Sequence, residues 1–110
     1  MKTQTQTQAY KKLGFTYSET SEIVDVLNNL IANYTVHYHK LRRFHWNVEG
    51  PNFFDLHIQF EKEYQKVSET IDIIAERMRV FGVKSNYTLK QLIELSEIKE
   101  GDKELTALQM

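Results

Sequence analysis

His57 and Glu61, and again Asp72 and Glu76, stand four residues apart. On a helix that spacing stacks each pair on one face. Glu61 and Asp72 are eleven residues apart, three helical turns, so both pairs share roughly the same face. Imidazole with carboxylate is a ligand set for Fe(II), Mn(II) or Zn(II), and a set rich in carboxylate with few histidines leans toward iron or manganese. Carboxylates also keep Fe(III) bound after oxidation. Two neighbouring irons can deliver the two electrons that take peroxide to water without releasing a hydroxyl radical. Trp46, next to His45 on the preceding helix, would place an oxidisable ring near such a reaction. A tryptophan at a helix end or an interface accounts for it equally well.

Within one chain the two pairs cannot serve the same ion. Their centres lie about 22 Å apart along the axis at the α-helical rise. An antiparallel second copy, crossing near Lys66 and Val67, would bring His57 and Glu61 of one chain beside Asp72 and Glu76 of the other. The spacing therefore predicts a two-fold dimer with a metal site at each end of the crossing. A structural reading competes with this one. A histidine inside an apolar stripe is commonly a hydrogen-bonded core residue, and the three carboxylates could form a solvated face paired with Lys62 and Arg77. Spacing alone leaves both readings open. His37 and His39 gain no further partners at ligand spacing and are read as structural.

Two long helices must carry these residues. From Ser21 to about Val48, apolar or aromatic side chains recur at Ile23, Leu27, Leu30, Tyr34, Tyr38, Leu41, Phe44 and Val48, in steps of three and four. Gly50-Pro51 ends that helix. Asn52 is placed to cap the next, which runs Phe53, His57, Phe60, Tyr64, Val67, Ile71, Ile74, Met78, Phe81 before Gly82 closes it. Thr88-Leu89-Lys90-Gln91 has the capping-box form and opens a short helix to about Ser96. Asp102 is expected to cap a further helix, of which the chain holds barely two turns before Met110. No strand alternation appears. The short connection makes the long helices antiparallel, and two helices cannot enclose a core, so their apolar stripes call for more helices or for other copies.

Composition narrows the rest. The chain has 110 residues, no cysteine and a net charge of −1. That length holds one domain. Without cysteine, metal must be held by nitrogen and oxygen, and a reducing compartment suits the chain. No apolar run approaches a bilayer span, and the N-terminus lacks the apolar core of a signal peptide. Residues 1–17, with their Thr-Gln repeat, read as a flexible tail ahead of one helical domain over 18–110.

The run His45-Trp46-Asn47-Val48-Glu49-Gly50-Pro51-Asn52-Phe53-Phe54-Asp55-Leu56-His57, then Phe60-Glu61, then Asp72-Ile73-Ile74-Ala75-Glu76-Arg77, closely resembles the Dps family of mini-ferritins. The likeness spans roughly residues 20 to 110. It implies an all-α, ferritin-like four-helix bundle, of which this chain supplies the first two long helices, the short connecting helix and the start of the third. It also implies a dodecameric hollow shell with ferroxidase sites at its two-fold dimer interfaces. By that resemblance His45, His57 and Glu61 of one subunit and Asp72 and Glu76 of its mate bind iron, with Trp46 beside it. The implied activity is oxidation of Fe(II) by hydrogen peroxide, storage of ferric mineral and protection of DNA, in a bacterial cytoplasm and on the nucleoid where DNA is bound.

Members of the family usually run longer, supplying the third and fourth long helices, so this chain is expected to be a C-terminally truncated form. Two other functions stay open: a DNA-compacting structural protein of starved cells, and an inert fragment that dimerises without mineralising iron. Tail binding of DNA would fall to Lys2, Lys11 and Lys12. So few lysines, diluted by Thr and Gln, predict weak binding at low salt, multiplied by the many tails of one shell.

Overall fold

Thr16 opens the first helix. Its hydroxyl accepts from the Glu19 N–H (3.1 Å), and the Glu19 carboxylate accepts from the Thr16 N–H (3.2 Å), a reciprocal pair that satisfies two otherwise orphaned donors. The helix therefore starts at Tyr17, four residues ahead of the Ser21 expected from the apolar repeat, because its first turn is polar and held by the cap. The computed structural model describes residues 14–101 and 105–110. Within them the chain forms α1 (Tyr17–Asn47), α2 (Phe53–Val80) and α3 (Leu89–Leu95), with no strand among the described residues.

The connection from α1 to α2 is five residues long, and α2 folds back along α1. Gly50 makes the reversal at φ +112°, a conformation that suits a residue with no Cβ. Asn52 does not cap α2 with its side chain. The turn closes through main chain instead, with the Phe53 N–H donating to Gly50 O (3.1 Å). At its far end α2 finishes as a Schellman turn: Gly82 N–H donates to Arg79 O (3.0 Å) and Val83 N–H to Met78 O (3.2 Å), with Gly82 at φ +79°.

Every position of the α2 apolar repeat, from Phe53 to Phe81, is buried or half-buried. The α1 repeat is displaced by one residue at its centre. Ile31 points inward and Leu30 is left exposed, because α1 serves two neighbours: one flank meets α2 and the other, through Asn33 and Val36, meets α3. The Asn33 side-chain oxygen accepts from Ser96 Oγ (3.1 Å) and the Glu97 N–H (2.7 Å), pinning the end of α3 to α1. The tightest packing gathers Ile31, Ile74 and Met78, with Leu27, Tyr34 and Leu92 against them. Apolar side chains also remain on the outside: Phe54, Ile58, Ile73 and Val80 on α2 and Leu89 and Ile93 on α3 are exposed.

Asp102 lies outside the described residues. Of the helix it was expected to open, residues 105–110 form a single turn, with Gln109 N–H and Met110 N–H both donating to Thr106 O. One turn fixes several dihedrals for few hydrogen bonds, so a helix this short gains little by propagating. The first thirteen residues, most of the expected tail, are likewise outside.

Two substitutions probe this packing. Met78 is fully buried, so Met78→Ala is expected to lower unfolding stability by about 2–5 kcal/mol. Thr20 is buried with its hydroxyl unpartnered among the described residues. Thr20→Val removes that polar atom at equal shape and is expected to raise stability by about 1 kcal/mol in denaturant titration; a fall would show that the hydroxyl has a partner.

Candidate metal centre

The hairpin brings the last turn of α1 against the beginning of α2, and this sets His45 on His57. Their rings stack with centroids 3.7 Å apart and planes 15° from parallel. The two residues also tie each other down. His45 Nδ1 donates to His57 O (2.5 Å), and His57 Nδ1 donates to His45 O (2.7 Å). The His45 carbonyl belongs to the last turn of α1, where no further helical N–H reaches it, so the His57 ring acts as its cap.

The direction of these bonds fixes a tautomer. A carbonyl oxygen only accepts, so each Nδ1 carries a proton, and in the neutral form of either ring the lone pair lies on Nε2. That is the arrangement in which a histidine is held through one nitrogen and offers the other to a metal. The structural and the ligand readings of His57 are thus compatible: the hydrogen bond that satisfies it inside the protein is the one that prepares it.

Aromatic side chains wall the pair. Phe53 stacks on the His57 ring at 4.9 Å, Tyr64 meets the His45 ring edge-on at 5.4 Å, and Phe44 packs on Phe60 beside them at 5.6 Å. His45 is buried and His57 half-buried. Glu61, one turn along α2 from His57, is also half-buried. Asp72 and Glu76 are exposed, three turns further on, and no ion pair to Lys62 or Arg77 forms among the described residues. The donor chemistry suits a hard or borderline cation: two imidazoles with free Nε2, and carboxylates not claimed by a neighbouring base. Among the described residues, no three His, Asp or Glu side chains of the single chain converge on one point.

Trp46 turns away from the imidazole pair. It is 54 % exposed, lies under the Arg42 guanidinium at 4.8 Å and meets the His39 ring at 6.2 Å. The oxidisable ring in contact with His45 within the chain is Tyr64, which the motif reading passed over. Its position was a signal: Tyr64 follows His57 by seven residues and Glu61 by three, on the same helical face. Lys2, Lys11 and Lys12 lie outside the described residues.

The chain matches the family described as "Ferritin-like domain" over residues 24–110. It is 48 % identical over 75 residues to the "DNA protection during starvation protein" of Brevibacillus brevis, covering 68 % of this chain and 50 % of that one. It superposes on the crystal structure of Dps from Staphylococcus aureus with a TM-score of 0.78 at 44 % identity, covering 81 % of this chain and 60 % of that one. A Dps protein of Vibrio cholerae O1, described as a member of a broad superfamily of ferritin-like diiron-carboxylate proteins, aligns with a TM-score of 0.78 at 32 % identity over 83 % of this chain and 57 % of that one. The chain spans about half the length of the curated relatives it matches.

The tautomers are directly measurable. Long-range nitrogen–proton correlation NMR, at a pH where both rings are neutral, is expected to show Nδ1 protonated and Nε2 unprotonated in His45 and His57. An Nε2–H tautomer at either position would contradict the reciprocal bonding.

Proposed function

Because the chain belongs to the ferritin-like domain family, in its Dps branch, we propose that it oxidises and stores iron at sites shared between two copies. His45, His57 and Glu61 of one chain hold ferrous iron together with Asp72 and Glu76 of the partner subunit. The observation that carries this is the reciprocal His45–His57 pair, which leaves both Nε2 lone pairs available one helical turn from Glu61. The carboxylates of Asp72 and Glu76 stand exposed too far along α2 to reach their own histidines, and a two-fold antiparallel crossing supplies them from the other chain.

The substrate is Fe(II) and the oxidant hydrogen peroxide. Two ferrous ions give one electron each; peroxide takes both electrons and two protons and leaves as two waters. Anionic carboxylates stabilise the triply charged product more than the doubly charged reactant, which draws the oxidation forward. The aromatic wall of Phe53, Phe44 and Phe60 keeps bulk water from the imidazoles. Trp46, adjacent to His45 in sequence but turned from the imidazole pair of its own chain, is an oxidisable ring near the site rather than within it. The ferritin-like part, residues 18–110, carries this chemistry, and the exposed apolar side chains of α2 and α3 suit burial against further helices and copies in a dodecameric shell that holds the ferric mineral. Removing iron and peroxide together protects DNA in the cytoplasm.

Asp72→Asn with Glu76→Gln tests the site with little change of shape. The double variant is expected to lose peroxide-driven Fe(II) oxidation by at least about 10–100-fold while its helical circular dichroism is unchanged. Equal rates in variant and wild type would reject the shared site.

Direct DNA binding is weak in this reading and rests on Lys2, Lys11 and Lys12. A gel shift is expected at low salt and is expected to vanish at moderate salt, as few phosphate contacts imply; retention at moderate salt would require a stronger basic surface than the tail.

A further inference from the structure

Arg42 of α1 is half-buried, and among the described residues it forms no ion pair. Its neighbours one turn before and one turn after are rings. Its guanidinium carbon lies 5.3 Å from the centroid of Tyr38 and 4.8 Å from that of Trp46. Rings take the faces of a guanidinium and leave its N–H edge for acceptors. That edge is a planar fork, the shape that a carboxylate matches with two parallel hydrogen bonds.

The same side chain lines a groove of about 350 Å³ between α1 and α3. Most of the groove is apolar. Val36 of α1 is buried in it, while Leu89 and Ile93 of α3 line it and remain 63 % and 42 % exposed. Its second wall is fixed in place from both sides. Asn33 holds Ser96 Oγ and the Glu97 N–H at the end of α3, and Arg43 Nη1 donates to Glu100 O (2.8 Å). The groove is therefore formed before any ligand arrives, with an apolar body and one polar anchor.

We propose that this groove binds a free aliphatic monocarboxylate, its headgroup on the Arg42 edge and its chain along Val36, Leu89 and Ile93. Charge selects the headgroup. Glu100 also lines the groove, so one guanidinium offsets a singly charged carboxylate and leaves a doubly charged phosphate opposed. Shape selects the tail. A space of this size takes one medium-length chain, and the rings already on Arg42 leave no guanidinium face for an aromatic ligand to stack upon. The site uses none of the five residues assigned to iron and stands apart from the ferroxidase reading.

The test is a methyl NMR titration of the full chain with octanoate, beside octanol and acetate as controls for the missing charge and the missing tail. Octanoate is expected to shift the methyl groups of Val36, Leu89 and Ile93, leave those of Ile58 unmoved, and saturate with a Kd below about 1 mM. Octanol and acetate are each expected to bind at least about tenfold more weakly. Arg42→Gln is expected to weaken octanoate by about tenfold with helical circular dichroism unchanged. Glu100→Gln is expected to tighten it a few-fold. Equal affinity for octanol, equal affinity in Arg42→Gln, or no saturable shift in wild type would each overturn the proposal. Binding confined to concentrations at which light scattering finds a monomer would give the groove to a second copy and overturn it too.

Discussion

The paired hydrogen bonds between His45 and His57 carry two duties that usually compete. As a structural device they cross-link the end of α1 to the start of α2 and cap a carbonyl that the helix end leaves without a donor. As a chemical device they place one proton on each Nδ1 and leave each Nε2 as a lone pair. Much of the surrounding architecture follows from this contact. Gly50 is needed to turn the chain sharply enough, Phe53 covers the outer face of the stack, and Tyr64 closes its edge. A substitution that removed either ring would loosen the hairpin and the site together.

Helix length imposes the second constraint. The imidazoles sit at one end of the hairpin, and the Asp72/Glu76 carboxylates lie far along α2, where they face solvent. A rigid α-helix cannot bend them together, so the proposed function draws its ligand set from two chains related by two-fold symmetry. Such symmetry makes two equivalent sites at once. An interface of that kind would also cover the exposed apolar residues of α2.

Much of this was legible in the sequence, and the failures are instructive. The α2 stripe could be read position by position because one face of that helix meets one neighbour. The α1 stripe could not, since Leu30 and Ile31 compete for the inward position and the choice depends on α3, whose packing leaves no periodic mark. The start of α1 lay hidden in Thr16 and Glu19, a capping box inside a polar stretch. Asn52 looked like a cap but sits in a turn that main-chain bonds already close. The ligand candidates were visible through their spacing and through their likeness to the mini-ferritins. The reciprocal tautomer lock was not visible, because it depends on the angle between two helices. Tyr64 was missed for a different reason: it reads as one more member of the apolar stripe, and only its contact with His45 sets it apart.

The claim on which everything else turns is that each site draws its ligands from two chains. Complementation of two inactive variants tests it most directly. One variant carries His57→Ala and Glu61→Ala, the other Asp72→Asn and Glu76→Gln, and the two are unfolded together and refolded as a mixture. Random pairing in a two-fold dimer restores about a quarter of the sites, so peroxide-driven iron oxidation is predicted to return to about that fraction of the wild-type rate. A mixture as silent as its components, at matched folding and assembly, would contradict the shared site.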